Sequence, residues 1–477
     1  MDEIGRKVIA AAHGVLTRLI AAGALQGDHL TEAHMAATAL GYQLARDAYD
    51  PAQLAVVRAA EQKLVSTLRH ERAASEMRGE RRWDKAWRAG AGADLAKLIE
   101  GSGVDIAHDR ALIQQLRAFL VAYHAPMDPA VGAGTRSTYQ SGRGDRSDDE
   151  GAAAGAIYIT APRLQDYLRY RFPERSTEVH SVERLMGGYS KETYIVRLAE
   201  DGEDRTLVIR KDGYGLPTGS SVVGEFAVLR EAHGLGIPVP EPLWLEADTA
   251  PFAAAFMAVG HVTGRPANQI VPADSETREK WSDDLAGVLA RLHAQTAQPG
   301  VDVRDVLRAD IADLRRRMQE RERAPHPGLS LGLAWLESHV DDLAGRPACR
   351  IHGDFGFHNF LMRDGRAVAV LDWEFSRIGD PVEDLTMFRP FMEQIDCWAR
   401  FRAAYEAQSG FHFDVRGARY FGVWTEVRNM VACLGSLNSL LLPQVIDVAL
   451  SVAGTIYIPK YEIAVLDAML AGDLSDD

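Results

Sequence analysis

The chain predicts an α+β protein with a two-lobe body, a small β-rich lobe followed by a larger helical one, preceded by an all-α unit. Three observations lead there. Between 182 and 259, short runs alternate apolar and polar residues at period two, with one helical segment among them. Beyond Gly264 the apolar period becomes that of helices. Ahead of both, a stretch poor in large apolar residues sets apart a first block with helical spacing.

The first block, 1–127, is expected to be a helical domain. Ile4, Val8, Ala12, Val15, Leu16, Leu19 and Ile20 lie on one helical face. Asp50-Pro51 supplies an N-cap and a first-turn proline, and Leu54, Val57, Leu64 and Leu68 continue a stripe. Leu112, Ile113, Leu116, Phe119 and Leu120 form another. The charged, Trp-bearing segment 80–88 between them reads as a solvated helix face with two packed indoles. Residues 128–156, rich in Gly, Ser, Asp, Arg and Ala, cannot bury enough surface to offset their ordering entropy and read as a flexible linker.

The two-lobe part is expected over 157–477, divided near 263 into an N-lobe and a C-lobe. A short helix at 162–172 turns Leu164, Tyr167 and Leu168 inward. Strands are predicted at 182–186, 194–198 and 206–210, a helix at 222–235 and a further strand at 256–259. Helices then follow at 281–293, 303–323, 331–340, 397–408 and 420–442.

Composition bounds the function. A chain of 477 residues with 47% hydrophobic and 25% charged residues describes a soluble globular protein of two or three domains. A net charge of −14 argues against nonspecific binding to nucleic acid or to anionic membranes. Cys349, Cys397 and Cys433 are scattered, which indicates reduced thiols rather than a zinc site or a disulfide framework. The start lacks the basic and apolar blocks of a signal peptide, and the apolar region 437–458 is broken by Pro443, Gln444 and Asp447. The expected compartment is the cytoplasm.

One stretch concentrates the chemistry. Ile351-His352-Gly353-Asp354-Phe355-Gly356-Phe357-His358-Asn359 is followed, behind the β-like run 367–371, by Asp372-Trp373-Glu374. An Asp, an Asn five positions on, and a second Asp after a strand form a phosphoryl-transfer constellation. That reaction asks the protein for positioning, metal and a carboxylate facing the nucleophile. Asp354 is placed to accept the proton of a substrate hydroxyl. Asn359 and Asp372 offer the hard oxygen ligands that Mg²⁺ prefers. His352 belongs to the catalytic set by holding the loop through hydrogen bonds rather than by moving protons.

With those residues in view, the segment resembles the catalytic core of the aminoglycoside phosphotransferase/choline kinase group, small-molecule kinases with a protein-kinase-like fold. Gly379-Asp380-Pro381…Asp384-Leu385 extends the resemblance, because that group has a Gly-Asp-Pro…Asp-Leu element after its metal-binding Asp. Similarity through Trp335-Leu336-Glu337, Leu371-Asp372-Trp373-Glu374 and the segment 401–435 points to the branch that includes kinase domains fused to some acyl-CoA dehydrogenases. It covers roughly 157–460 and implies ATP and Mg²⁺ as cofactors.

The resemblance also implies a nucleotide site in the small lobe. Gly187-Gly188-Tyr189-Ser190-Lys191 lies between two strands, and Gly188 and Ser190 correspond to phosphate-loop residues of the group. Lys191 stands where many relatives have a smaller polar residue. Arg210 is expected to present the cation that orients the phosphates, steadied by Glu225 on the next helix, and the branch is similar in having Arg there. Lys211 is the alternative, but strand alternation sends it to the opposite face. Backbone from Val259 to Val262 would meet adenine.

The acceptor is less defined. The arginine-rich segment 303–323 either meets the phosphates of coenzyme A or is a salt-bridged solvent helix. The leading reading is an ATP- and Mg²⁺-dependent O-phosphotransferase acting on a small hydroxylated metabolite, with a hydroxyacyl-CoA thioester as acceptor by resemblance. An aminoglycoside or other antibiotic is the second reading, disfavoured because 401–442 supplies few acids for a polycation. A non-catalytic nucleotide-binding regulatory protein is the third. It need not keep base and metal ligands together, yet all are present.

Overall fold

The computed structural model describes residues 59, 110–124, 158–185, 191–213, 220–272, 274–322, 326–436 and 448–471. The helical stripes expected within 4–68, the patch 80–88 and the linker 128–156 lie outside those residues, as do Gly188, Ser190 and the end of the segment 420–442. The described residues belong to two compact units. One is drawn from Gly142–Val306 and Gly345–Ala418, the other from Leu307–Ala344 and Arg419–Leu474 with the described part of Met1–Ser141.

The first unit opens with α2 (Ala161–Arg171) and a five-stranded antiparallel sheet: β1 (Thr177–Leu185), β2 (Lys191–Glu200), β3 (Glu203–Asp212), β4 (Pro242–Glu246) and β5 (Phe256–Gly260), in the order β1-β2-β3-β5-β4. Alternation along β2 and β3 decides the faces. Tyr194, Val196, Leu198, Leu207 and Ile209 form one buried core with Leu164, Tyr167 and Leu168 of α2. Lys191, Val208, Arg210 and Asp212 fall on the opposite face, where Val208 is paired with Val259. On that side α3 (Val222–Gly234) supplies Glu225; its N-cap Ser221 accepts from Val223.

After Gly264 the chain is mainly helical, as expected of a protein-kinase-like C-lobe. α4 (Ser275–Gln295) lies beside α8 (Trp398–Ser409), joined by Arg400 to Asp283 and Glu279 at 2.7 and 2.8 Å. α5 (Val303–Arg321) runs from the first unit into the second, where α6 (Pro327–His339) follows. Short strands carry the motif: β6 (Arg265–Pro266), β7 (Cys349–Ile351), β8 (Phe360–Arg363), β9 (Arg366–Val370) and β10 (Arg377–Gly379). The rest are α1 (Arg110–His124), α7 (Pro381–Gln394), α9 (Val415–Ser436) and α10 (Val448–Leu470). No described helix is long and apolar enough to cross a membrane.

The predicted small-lobe strands and the helices from 281 onward are present, with ends that differ by a few residues. Beyond the expectation lie the short strands β6, β7, β8 and β10 and three longer elements. β4 begins with Pro242, and an opening proline reads as a turn although an edge strand tolerates it. α7 starts at an Asp380 N-cap with Pro381 in its first turn, a start signal hidden inside the catalytic motif. α10 contains Pro459, which reads as a break.

Candidate active site

The two halves of the motif meet at Leu371. β8 and β9 form a hairpin whose turn residues, Asp364 and Gly365, both have positive φ (51° and 78°), the conformation of a two-residue turn matched to strand twist. The pairing Phe360↔Val370 sets the residues just beyond it opposite each other. There the Leu371 N–H donates to the Asn359 carbonyl at 2.8 Å. The Leu371 carbonyl accepts from His352 Nε2 at 3.0 Å. Asp372 follows at φ 62°, a left-handed conformation uncommon for a residue with a Cβ and found where the surroundings impose it.

His352 is fully buried. Its Nδ1 accepts the Asp354 N–H at 3.2 Å, so the ring proton sits on Nε2. Burial holds its basicity below the ordinary value, and a neutral ring with both nitrogens engaged is a brace. Beneath it, Asp384 of α7 accepts from the His352 and Gly353 N–H groups, each at 2.7 Å, and from His293 Nε2 at 3.1 Å. His293 Nδ1 in turn meets Tyr405 Oη at 2.7 Å. Gly353 itself has φ 80°, and an added Cβ would lie 2.5 Å from the Phe375 carbonyl oxygen.

Asp354 Oδ2 receives Asn359 Nδ2 at 2.9 Å and His358 Nε2 at 3.1 Å. The same Asn359 nitrogen donates to the Asp354 carbonyl at 2.9 Å, which leaves the amide oxygen as the end turned to other partners. Burial works against charge on His358, but the hydrogen bond and field of Asp354 outweigh it and raise its basicity. The loop rests on three phenylalanines: Phe355, Phe357 and Phe360 each contact Phe388 of α7, with centroids 5.0 to 5.7 Å apart.

From the small lobe, Arg210 reaches this loop. One guanidinium nitrogen bonds Glu225 Oε1 and another lies 3.0 Å from Asp372 Oδ1. Burial opposes its charge, and the two carboxylates more than compensate. Burial also pushes the Glu225 carboxyl up, to about 7, against the pull of Arg210. Lys211 points away to the other face, where it pairs with Glu192 at 3.0 Å. Val259 is buried at the end of β5, and Val262, half-buried, lies in the connection to β6.

Five of the six arginines of α5 are engaged by carboxylates. Arg304 meets Asp302, Arg315 meets Glu337, Arg316 meets Glu320 and Arg317 meets Asp313, all between 2.6 and 2.8 Å, and Arg308 meets Asp341 at 2.5 Å. This is the salt-bridged form of that helix. Asp380 caps α7 and pairs with Arg346, a structural duty. Sequence reasoning did not pick out Asp384 as the anchor of the loop or the Phe388 seat. The Asp-Pro helix start and the alternating phenylalanines were the available signals. Among the described residues no cluster of three or more His, Cys, Asp or Glu could hold a metal by itself.

The family model described as the phosphotransferase enzyme family matches residues 181–421. Acyl-CoA dehydrogenase family member 10 of Mus musculus is 27% identical over 238 residues, 48% of this chain and 22% of that protein. Acyl-CoA dehydrogenase family member 11 of Homo sapiens is 29% identical over 199 residues, 39% of this chain and 25% of that protein. The chain thus spans about a quarter of the length of these relatives. Among solved structures, choline kinase LicA from Streptococcus pneumoniae matches 64% of this chain and 97% of its own, at 15% identity and a TM-score of 0.46.

Proposed function

The chain belongs to the phosphotransferase enzyme family, and we propose that it transfers the γ-phosphoryl group of ATP, with Mg²⁺, to a hydroxyl of a small metabolite. The observation that supports this most is the junction at Leu371, where Asp354, Asn359 and Asp372 come together while Arg210 approaches from the small lobe. A phosphoryl-transfer site needs a base, hard oxygen donors and a cation in one place.

In this reading Arg210 binds the nucleotide phosphates, steadied by Glu225, and the connection from Val259 to Val262 receives the adenine. Gly188 and Ser190 complete the phosphate contact. The donor chemistry suits Mg²⁺: the Asn359 amide oxygen is oriented by the two bonds of its nitrogen, and Asp372 adds a carboxylate. Bound there, the ion would neutralise charge on the phosphates. Asp354 keeps Oδ2 occupied by Asn359 and His358, so its acceptor capacity toward a substrate hydroxyl is oriented. It takes the hydroxyl proton as the oxygen attacks phosphorus. His352 and Asp384 hold the loop in register.

For the acceptor, we favour a hydroxyacyl-CoA thioester. The support is the similarity to two acyl-CoA dehydrogenase family members. The α5 arginines add no support, because five of the six already meet carboxylates. Asp354→Asn is expected to slow phosphotransfer by a factor of about 10² to 10⁴ while Mg·AMP-PNP binding persists. Near-normal turnover would refute the base assignment. Hydroxyacyl-CoA and aminoglycoside panels assayed for ADP release separate the acceptor classes; turnover only with aminoglycosides would overturn the thioester.

A further inference from the structure

Two cations on adjacent strands face the catalytic loop, and each is held from both sides. Arg210 of β3 lies between Glu225 of the small lobe and Asp372. Lys191, at the start of β2, lies between Asp212 of the small lobe, 3.5 Å away, and Glu374, 3.6 Å away. Its ammonium also donates to the Ser220 carbonyl at 2.6 Å, and its side chain is only 2% exposed. Asp212 accepts from the Ser221 hydroxyl and the Val222 N–H, so the same cluster fixes the start of α3. Asp372 and Glu374 flank Trp373, which is buried, donates Nε1–H to the Val370 carbonyl at 3.1 Å and packs against His352 at 4.7 Å.

We propose that Lys191 and Glu374 form a clasp between the lobes that keeps Asp372 presented to the nucleotide. The inference rests on the phosphotransferase reading and adds to it. In that reading Arg210 turns to phosphate and Asp372 to the metal, so the link Arg210–Asp372 loosens on binding. The Lys191 pair lies two residues further along the same tripeptide and is shielded from water. A buried ammonium between two carboxylates is costly to unpair, so the link persists through the cycle. Lys191 and Glu374 are therefore positioning residues, acting through the Asp372 segment.

The test is titration calorimetry with Mg·AMP-PNP on the full chain, with amide hydrogen exchange of 371–376 in the nucleotide-free protein. Lys191→Met and Glu374→Gln are each expected to weaken binding about tenfold and to speed exchange, and the double variant to be no worse than either single one, as for residues that act as a pair. Lys191→Arg, which keeps the charge, restores most of the affinity. Should Lys191→Met fail to fold, the loss in Glu374→Gln and the near-normal affinity of Lys191→Arg carry the test. Affinity and exchange within twofold of wild type in Glu374→Gln, or effects that multiply in the double variant, would overturn the clasp alone. A wild-type protein that binds no Mg·AMP-PNP would overturn the functional reading and the clasp with it.

Discussion

Arg210 and Lys211 are successive residues of one strand, and the pleat gives them different surroundings. Arg210 faces the catalytic loop with two carboxylates; Lys211 is buried on the α2 face beside Glu192, itself bonded to Arg184 and Tyr194. Arg210→Ala is expected to weaken ATP binding and slow turnover, because it removes the phosphate cation of the proposed site and leaves Glu225 buried and unpaired. Arg210→Lys keeps the charge but loses the planar fork, so partial activity is expected. Lys211→Ala should lower thermal stability, because it empties a buried position and removes one of the three partners of Glu192, while the KM for ATP stays near wild type. Kinetics at limiting ATP, with melting curves, separate these outcomes. A normal KM in Arg210→Ala beside a raised one in Lys211→Ala would reverse the assignment.

At the level of elements, the catalytic loop depends on α7. Asp384 accepts two loop amides and His293, and Phe388 supports three phenylalanines of the loop. Phe388→Ala should cost about 3–5 kcal/mol, the range for a large buried aromatic. Asp384 also carries a pH signature. Burial opposes its charge, but the bond and charge of His293 and the loop amide outweigh burial and keep its pKa below the ordinary carboxylate value. A depressed folded-state pKa contributes stability that is complete above the unfolded value of about 3.9 and is lost as pH falls through the folded one. The difference in melting temperature between wild type and Asp384→Asn should therefore shrink as pH is lowered from 5 toward 2. A constant difference would contradict the role. Much of this element logic is legible in the sequence: the order of strands and helices follows from apolar period, and the motif spacing names Asp354, Asn359 and Asp372. What period cannot show is which buried polar groups pair. Asp384 and Lys191 acquire their partners, His293 and Glu374, across long stretches of chain, and no local pattern encodes that.

For the molecule as a whole, the chain does not fill its units in sequence order. Leu307–Ala344 leaves the first unit for the second, the chain returns for Gly345–Ala418, and Arg419–Leu474 goes back. The second unit therefore relies on helices distant in sequence meeting closely, and glycines permit it. Gly328 and Gly332, one turn apart on α6, face α10. The Gly328 N–H donates to Glu462 Oε1 at 2.9 Å. A Cβ at Gly332 would fall 2.6 Å from Val465 Cγ1 and 2.8 Å from Val427 Cγ2, branched side chains held in a packed interface. Gly332→Ala should thus destabilise by about 1–3 kcal/mol through overpacking, despite alanine's better helix propensity. Gly422 of α9 is the control, since nothing lies within 4 Å of the Cβ it would gain. There the same change should stabilise by about 0.5–1 kcal/mol, because only the propensity term remains. Thermal unfolding of the two variants checks both signs at once, and a Gly332→Ala protein as stable as Gly422→Ala would mean that α6 and α10 do not meet as closely as their glycines allow.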